Sequence, residues 1–242
     1  MTKALYVHVP FCDKICAYCD FVRVLTHPKL IAQYLGALKE ELASYPKTQY
    51  ETIYIGGGTP TALNEKELTI LLEILKPVSK LVQEYTIEVN PESLTSDKAK
   101  IMKRYGINRV SLGVQTFDEK ELTLLHRAHH KDDIQKAMEL LIKNGITNIS
   151  IDLIYGLPLQ TLQSFENSIR EAFTLPITHL SLYSLTIEPH SEFGRKKVQK
   201  VSDEMEEQMY FKAIVLFKEQ GFEQYEISNF TKDKPSRHNK TY

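Results

Sequence analysis

The sequence lacks the features that mark membrane, fibrous and nucleic-acid-binding proteins. No apolar run approaches the roughly 20 residues that cross a bilayer. Lys and Arg number 30 and Asp and Glu number 31, so the net charge of −1 gives no electrostatic footprint for nucleic acid or an anionic membrane. Ten glycines and ten prolines among 242 residues are too few for a fibrous chain. The apolar share of 42% and the charged share of 25% instead indicate a globular protein rather than a disordered one.

Cysteine is also scarce. The only three cysteines, Cys12, Cys16 and Cys19, lie within eight residues of one another. An odd number of thiols in one short segment argues against a disulfide framework and favours a set of ligands. The first five residues contain no apolar core of a signal peptide, so we expect the protein in the cytoplasm.

Short β-branched runs alternate with helical patterns along the chain. At roughly 150 residues per domain, the length allows one large α/β domain or two small ones. The runs predict strands at 5–9, 52–55, 85–89, 109–114, 148–153 and 179–185. The intervening periodicity predicts helices at 29–43, 65–76, 96–105, 119–125, 132–143, 162–173 and 203–219. For the second helix, Asn64 and Glu67 form a capping box, and Pro77 is expected to end the pattern.

Six strand–helix repeats predict a parallel sheet covered by helices, which is an α/β fold. A closed eight-fold barrel takes roughly 250 residues, so six units and a long C-terminal helix indicate an incomplete (β/α)6 barrel of the TIM type. We expect residues 1–190 to form this core domain and residues 191–242 to hold the C-terminal helix and the beginning of a further region. The polar, basic segment 191–201 is the predicted linker.

The cysteine segment has the spacing C-x3-C-x2-C and directly follows the first predicted strand. Chemistry in α/β barrels is located at this end of the strands. Three thiolates can hold three irons of a [4Fe–4S] cluster, and the absence of a fourth cysteine leaves one iron open to another ligand. The alternatives are a Cys3His zinc site that uses His8 or His27, and three buried structural cysteines.

Polar residues also follow later predicted strands. The second strand runs into G-G-G-T-P-T at 56–61, and such glycines let a backbone approach a ligand closely. Glu88, Gln115, Arg127 and Asp152 lie at or after later strand ends. A buried carboxylate needs partners, which ribose hydroxyls could supply, and a guanidinium could bind a carboxylate at two points. Taken singly, each of these residues could instead form a structural ion pair. His126, His129 and His130, near Arg127, are expected to cap a helix C terminus.

The cysteine spacing, with Tyr18 before the last cysteine, resembles the signature of radical S-adenosylmethionine (SAM) proteins. The strings Y-V-H-V-P-F-C at 6–12 and C-A-Y-C-D-F at 16–21 resemble the branch that holds oxygen-independent coproporphyrinogen III oxidases and related haem chaperones. The resemblance implies a [4Fe–4S] cluster on the three cysteines and reductive cleavage of SAM by a radical mechanism. It implies SAM contacts at Tyr6, Tyr18, Gly57, Gly58, Thr59, Glu88, Gln115, Arg127, Asp152 and Thr186.

Three departures favour the chaperone side of this branch over the oxidase side. Phe21 stands where the oxidases carry a further cysteine. The oxidases also have a longer segment before the first strand, whereas here the first matching tyrosine is already residue 6. The string R-H-N-K-T-Y at 237–242 resembles an H-N-x-x-Y-W signature of the chaperones. It implies that His238 ligates haem iron, although an exposed histidine in a frayed terminus is the alternative.

The resemblance also implies partners for the protein. They are haem or a porphyrinogen, a haem-accepting protein and an electron donor for the cluster. The alternative function is that of an enzyme which oxidatively decarboxylates coproporphyrinogen III. Members of both groups continue into a further C-terminal domain, so we expect the present chain to be truncated.

Overall fold

A computed structural model describes residues 4–45 and 49–241. Its described part contains ten strands, β1 to β10 in chain order: Ala4–Val9, Phe11–Cys12, Val24–Leu25, Thr52–Gly57, Glu84–Val89, Arg109–Gln115, Asn148–Tyr155, His179–Ser184, Glu223–Gln224 and Asn229–Thr231. The eight helices α1 to α8 are Pro28–Ser44, Glu65–Ser79, Ser96–Arg104, Glu119–Leu124, Lys131–Lys143, Leu162–Ala172, Glu192–Arg195 and Asp203–Glu219. Short 3-10 turns occur at Pro60–Ala62, Pro91–Ser93 and Asn239–Thr241.

The main sheet has the strand order β1-β4-β5-β6-β7-β8-β10-β9. Six of these strands pair in parallel, as predicted, and helices connect them: β1, β4, β5, β6, β7 and β8. The sheet ends at β1 on one side and at β9 on the other. Tyr54 of β4 and Tyr183 of β8 nevertheless line one cavity, so the sheet curves around its inner face. These features confirm the expected incomplete barrel.

Side chains of the parallel strands alternate between an apolar outer face and a polar inner face, because a strand has a period of two. Ile53 and Ile55 of β4 and Ile87 and Val89 of β5 are buried in the main core between sheet and helices. The opposite face carries Tyr54, Glu88, Ser111, Asp152, Ser181 and Tyr183. The outer face supplies apolar burial for stability, and the inner face holds the groups able to bind a polar ligand.

The predicted helices are present, with ends that differ by up to three residues. The capping box of α2 forms, since the Asn64 side chain accepts from the Glu67 amide and Glu67 accepts from the Asn64 amide. Pro77 does not end this helix, which continues to Ser79. Proline lacks an amide hydrogen, but in the last turn that removes a single backbone hydrogen bond, which the helix tolerates.

The C-terminal part of the chain extends the same sheet. After α8, β10 pairs antiparallel with β8, and β9 pairs with β10; neither strand was predicted. The segment 191–201 is not a simple solvated linker, because it contains α7 and buries Ser191 and Phe193. The division at residue 190 stays a prediction. Across the described residues, no helix combines the length and the apolar character that a membrane crossing requires.

Candidate functional site

The cysteine segment forms a loop closed by a small sheet at the end of β1. Strand β2, which contains Cys12, pairs with β3, and the loop between them carries Cys16 and Cys19. The Ala17 amide donates to the carbonyl of Leu125, which ties the loop to the end of α4. All three cysteines line one cavity of about 570 Å³ at the carboxyl ends of the parallel strands.

The environment of two of the three thiols favours their protonated form over the free thiolate. Burial raises the pKa of Cys12 and of Cys19 above the ordinary thiol value, so both are protonated until a metal displaces the proton. In the described parts of the chain, no three metal-binding side chains converge as they would around one metal ion. His8, one of the two candidate fourth zinc ligands beside His27, has its Nε2 2.8 Å from the carbonyl of Val22. The geometry therefore gives the zinc alternative no support.

The glycine-rich loop lies against the cysteine loop. The amide of Gly58 donates to the carbonyl of Val9, and the amide of Thr59 donates to the carbonyl of Phe11. A Cβ at Gly58 would lie 2.8 Å from the Phe11 oxygen and 3.0 Å from Cys12 Sγ, so only glycine fits there. The backbone of the glycine-rich loop thus packs directly against the loop that carries the sulfur ligands.

Two carboxylates face the same cavity from neighbouring parts of the inner face. Glu88 accepts from the Tyr54 hydroxyl at 2.9 Å and from the Gly57 amide at 3.0 Å. Burial, and next the charge of Asp152, raises the pKa of Glu88 to about 7. Burial also raises the pKa of Asp152, although the Ser111 hydroxyl 3.0 Å away favours its charged form. Both carboxylates have acceptor capacity left for the hydroxyls of a ligand.

Arg127 connects the cysteine loop to the strand ends. Its Nη1 lies 3.5 Å from Cys16 Sγ, and its Nη2 donates to Asn90 Oδ1 at 2.8 Å and to the Gly113 carbonyl at 2.7 Å. Its buried Nε finds no acceptor among the described residues. A buried donor without an acceptor is costly, so Arg127 has one donor available for a ligand carboxylate.

Gln115 has a strained backbone next to this arginine. Its φ is 69°, and the register of β6 against β7 shifts between Gly113 and Gln115. His129 supports this turn with its Nε2 3.2 Å from the Val114 carbonyl and its Nδ1 3.3 Å from Glu92. From the sequence, His129 was expected to cap a helix C terminus, and its carboxylate partner Glu92 was not predicted. That partner lies 37 residues away in the chain.

The structure brings nearly all of the predicted site residues together. Besides the three cysteines, the cavity is lined by Tyr18, Gly57, Gly58, Thr59, Glu88, Gln115, Arg127, Asp152 and Thr186. Tyr6 is not part of this lining, and its ring stacks on Tyr54 at a centroid distance of 6.0 Å. A direct contact between Tyr6 and SAM stays a prediction.

Several lining residues were missed from the sequence, chiefly Tyr54, Asn90, Ser111 and Tyr183. Asn90 bridges Thr59 and Arg127, since its amide donates to Thr59 Oγ1 at 3.0 Å. A signal for it was present, because it is a polar residue that directly follows β5. Ser111 and Tyr183 could have been found by continuing the alternation of the inner face from Gly113 and from Ser181.

His238 lies on the inner face of the sheet, near the amino ends of the strands. It is 2% exposed, its Nδ1 is 2.9 Å from Thr52 Oγ1, and its ring contacts that of Tyr54. The alternative of an exposed histidine in a frayed terminus is therefore wrong for this structure. Tyr242, the last residue of the same motif, lies outside the described residues.

Comparison with protein families matches residues 6–172 to the model of the radical SAM superfamily. This matched segment starts before the cysteine loop and ends with α6. The chain belongs to the radical SAM superfamily. The expectation drawn from the cysteine spacing and the surrounding strings is thereby confirmed.

This radical SAM protein has close relatives among curated proteins. It is 40% identical over 253 residues to the haem chaperone HemW of Bacillus subtilis, which covers 99% of the chain and 66% of that relative. It is 37% identical to HemW of Lactococcus lactis, over 99% of the chain and 65% of the relative. Among solved structures, coproporphyrinogen III oxidase (HemN) from Escherichia coli matches with a TM-score of 0.88 and 27% identity, over 98% of this chain and 57% of the other. The chain thus spans slightly less than two thirds of these curated relatives.

The residues of the cavity fit the groups that the superfamily implies. A thiol donor set with no fourth cysteine suits a cluster with one open iron. Glycine at position 58 lets the glycine-rich loop pack directly against the Cys12 loop, and the orphaned Nε of Arg127 suits an anionic ligand group. Glu88 and Asp152 suit a pair of ribose hydroxyls.

Proposed function

We propose that this radical SAM protein is a haem chaperone, which binds haem and transfers it to an acceptor protein. It carries a [4Fe–4S] cluster on Cys12, Cys16 and Cys19 and an exchangeable SAM. The observation that carries the proposal is the match to the HemW proteins along 99% of this chain, in a structure where one cavity at the strand ends joins three thiols to two carboxylates.

The residues of the cavity have distinct roles in this proposal. Glu88 and Asp152 accept from the ribose hydroxyls, and Arg127 donates to the methionine carboxylate. Peptide groups of Gly57 and Gly58, with Thr59, meet the methionine amino group, while Tyr18, Gln115 and Thr186 line the rest of the cavity. When bound, the reduced cluster supplies one electron to the sulfonium of SAM.

We propose His238 as the haem ligand. Burial is the main cause that lowers its pKa, so the imidazole is neutral, which is the form that binds iron. Because the side chain is 2% exposed, its segment must move before haem iron can reach the ring. Haem binding at His238 is therefore expected to be slow and accompanied by a structural change.

The second candidate function is oxidative decarboxylation of coproporphyrinogen III. The specific observation in its favour is the match to HemN, with a TM-score of 0.88. Phe21, which is 69% exposed beside the cysteine loop, argues against it because the oxidases carry a cysteine at the matching position. Either function requires an electron donor that reduces the cluster. The three unpaired thiols need a reducing compartment, and we propose the cytoplasm.

The first experiment separates these two functions. The product of the complete gene is reconstituted with iron and sulfide without oxygen and is given SAM, a reductant and coproporphyrinogen III. Mass spectrometry then tests for decarboxylated porphyrinogen. Its formation would establish the oxidase and refute the chaperone proposal. Absence of product, from protein with an intact cluster and bound SAM, is the expected result.

Haem titration then tests the ligand. We expect His238→Ala to weaken haem binding and to change the haem absorbance spectrum. The matched control is His130→Ala, because the His130 side chain is 74% exposed. Equal haem affinity and identical spectra in both variants would remove His238 as the ligand.

A further inference from the structure

A continuous set of contacts leads from the SAM cavity to His238. The ring of His238 lies 5.1 Å from the ring of Tyr54, measured between centroids. The Tyr54 hydroxyl donates to Glu88 Oε1 at 2.9 Å, and the other oxygen of Glu88 accepts from the Gly57 amide at 3.0 Å. Three side chains therefore connect the C-terminal segment with the glycine-rich loop.

Tyr54 is suited to hold the Glu88 carboxylate. Burial, followed by the nearby charge of Glu88, raises the pKa of Tyr54 well above its ordinary value, so the phenol stays protonated and remains a donor. Its ring packs on Tyr6 as well as on His238, and these contacts limit where its hydroxyl can lie. The direction of the Glu88 carboxylate thus depends on how the ring of Tyr54 is held.

The His238 end of this path is itself firmly held. Glu84, at the start of β5, accepts from Ser236 Oγ, from the Arg237 amide and from the His238 amide, each at 2.9 Å. Glu84, Ser236 and His238 are all buried. Hydrogen bonds to a buried carboxylate are among the stronger ones in proteins, so the His238 ring has a defined place against Tyr54.

We infer that Tyr54 is a positioning residue that couples His238 to the SAM cavity. Its hydroxyl sets the Glu88 carboxylate, and the His238 ring sets the orientation of Tyr54. Loss of the His238 ring therefore lowers the affinity for SAM without any direct contact between the two. A ligand that draws His238 away from Tyr54 has the same effect, and by reciprocity SAM weakens the binding of that ligand. This last consequence rests on the proposed haem function.

The test is a double-mutant cycle on SAM affinity. The reconstituted product of the complete gene is dialysed to equilibrium against labelled SAM as wild type, Tyr54→Phe, His238→Ala and the double variant. We expect each single variant to weaken SAM binding by about tenfold, the effect of one hydrogen bond to a charged group. We expect the double variant to bind SAM at least as tightly as the single variant with the lower SAM affinity.

Tyr85→Phe is the matched control. Tyr85 is a 2% exposed tyrosine of the adjacent strand, and its hydroxyl has no hydrogen-bond partner among the described residues. We expect it to bind SAM like the wild type. Wild-type SAM affinity in Tyr54→Phe and His238→Ala, or losses that add in the double variant, would overturn the inference.

Hydrogen exchange keeps the test decisive if His238→Ala does not fold. In the wild-type protein, SAM is expected to slow exchange in residues 236–241, because a held Glu88 holds Tyr54 and the histidine on it. The same protection is expected to be absent in Tyr54→Phe. SAM-dependent protection that is equal in both proteins would refute a path through the Tyr54 hydroxyl.

Haem separates this inference from the proposed function. We expect haem to weaken SAM binding in the wild type and not in Tyr54→Phe. If haem does not bind through His238 but His238→Ala still lowers SAM affinity, the proposed ligand is wrong and the coupling stands. If haem binds through His238 while SAM affinity is the same in all variants, the coupling is wrong and the proposed ligand stands.

Discussion

Replacement of Glu88 by glutamine should stabilise the protein at alkaline pH. Glu88 is held beside Asp152 on the inner face, and its pKa is about 7 in place of the ordinary 4.5. The folded state therefore binds a proton more tightly than the unfolded state does. Below pH 4.5 the side chain is protonated in both states, and stability falls as the pH rises from there to 7.

The magnitude follows from the two pKa values. A pKa of about 7 against 4.5 corresponds to a cost of roughly 3 kcal/mol once Glu88 is charged. The proton linkage gives about 1 kcal/mol of this cost at pH 5 and about 3 kcal/mol at pH 8. These are upper values, because the carboxylate faces the cavity, where solvent screens its charge. Glutamine can keep both local hydrogen bonds, since its oxygen accepts from Gly57 while its amide donates to the Tyr54 oxygen.

The assay is urea unfolding of the apoprotein at pH 5 and pH 8. Far-ultraviolet circular dichroism is the probe, because the chain has no tryptophan to report by fluorescence. We expect Glu88→Gln to gain more stability at pH 8 than at pH 5, by about 2 kcal/mol. The control is Glu207→Gln, at an exposed glutamate of α8, which should show no such difference. An equal change at both pH values, or a loss of stability at pH 8, would refute the reasoning.

The remaining predictions concern the cluster and SAM. Cys16→Ser should abolish the cluster because one iron loses its thiolate, and a full iron and sulfide content in this variant would contradict that. Gly58→Ala should lower cluster content or SAM affinity because its Cβ meets the Cys12 loop at 2.8–3.0 Å, whereas Gly36→Ala on α1 meets nothing within 4 Å and should change neither. Asp152→Ala should weaken SAM binding by about 1–3 kcal/mol, and unchanged affinity in equilibrium dialysis would mean that Asp152 is structural.

The parallel strands were predictable because the alternation of short apolar runs with helical patterns indicates both where the strands lie and how they pair. Buried parallel strands are short β-branched runs, and alternation with helices requires that they pair in parallel. The same logic failed for β9 and β10, which have two and three residues. Strands of that length carry no periodicity, and the pairing of β10 with β8 and of β9 with β10 depends on tertiary contacts.

The site was predictable to the extent that its residues follow strand ends. Polar residues in or directly after an apolar strand need binding partners, and this requirement identified Glu88, Gln115 and Asp152. Tyr6 lies in the first half of β1, where it is paired with Tyr54 of β4. Whether its side chain reaches the cavity depends on how these two strands pair, which the local sequence does not show. The motif predicts a role for Tyr6, but it does not predict where in the structure its side chain lies.

Contacts between distant parts of the chain set the limit of what the sequence showed. His238 lies against Thr52, 186 residues earlier, and Ser236 against Glu84, 152 residues earlier. Nothing local at Thr52, Tyr54 or Glu84 marks them as partners of the C-terminal motif, because a polar inner face of a strand is compatible with many occupants. The motif suggested a haem ligand but not its burial, whereas the structure buries the histidine against Tyr54, which lines the cavity at the strand ends. A histidine in this place can report the state of one site to another only if its release has a cost, and the three hydrogen bonds to Glu84 provide that cost.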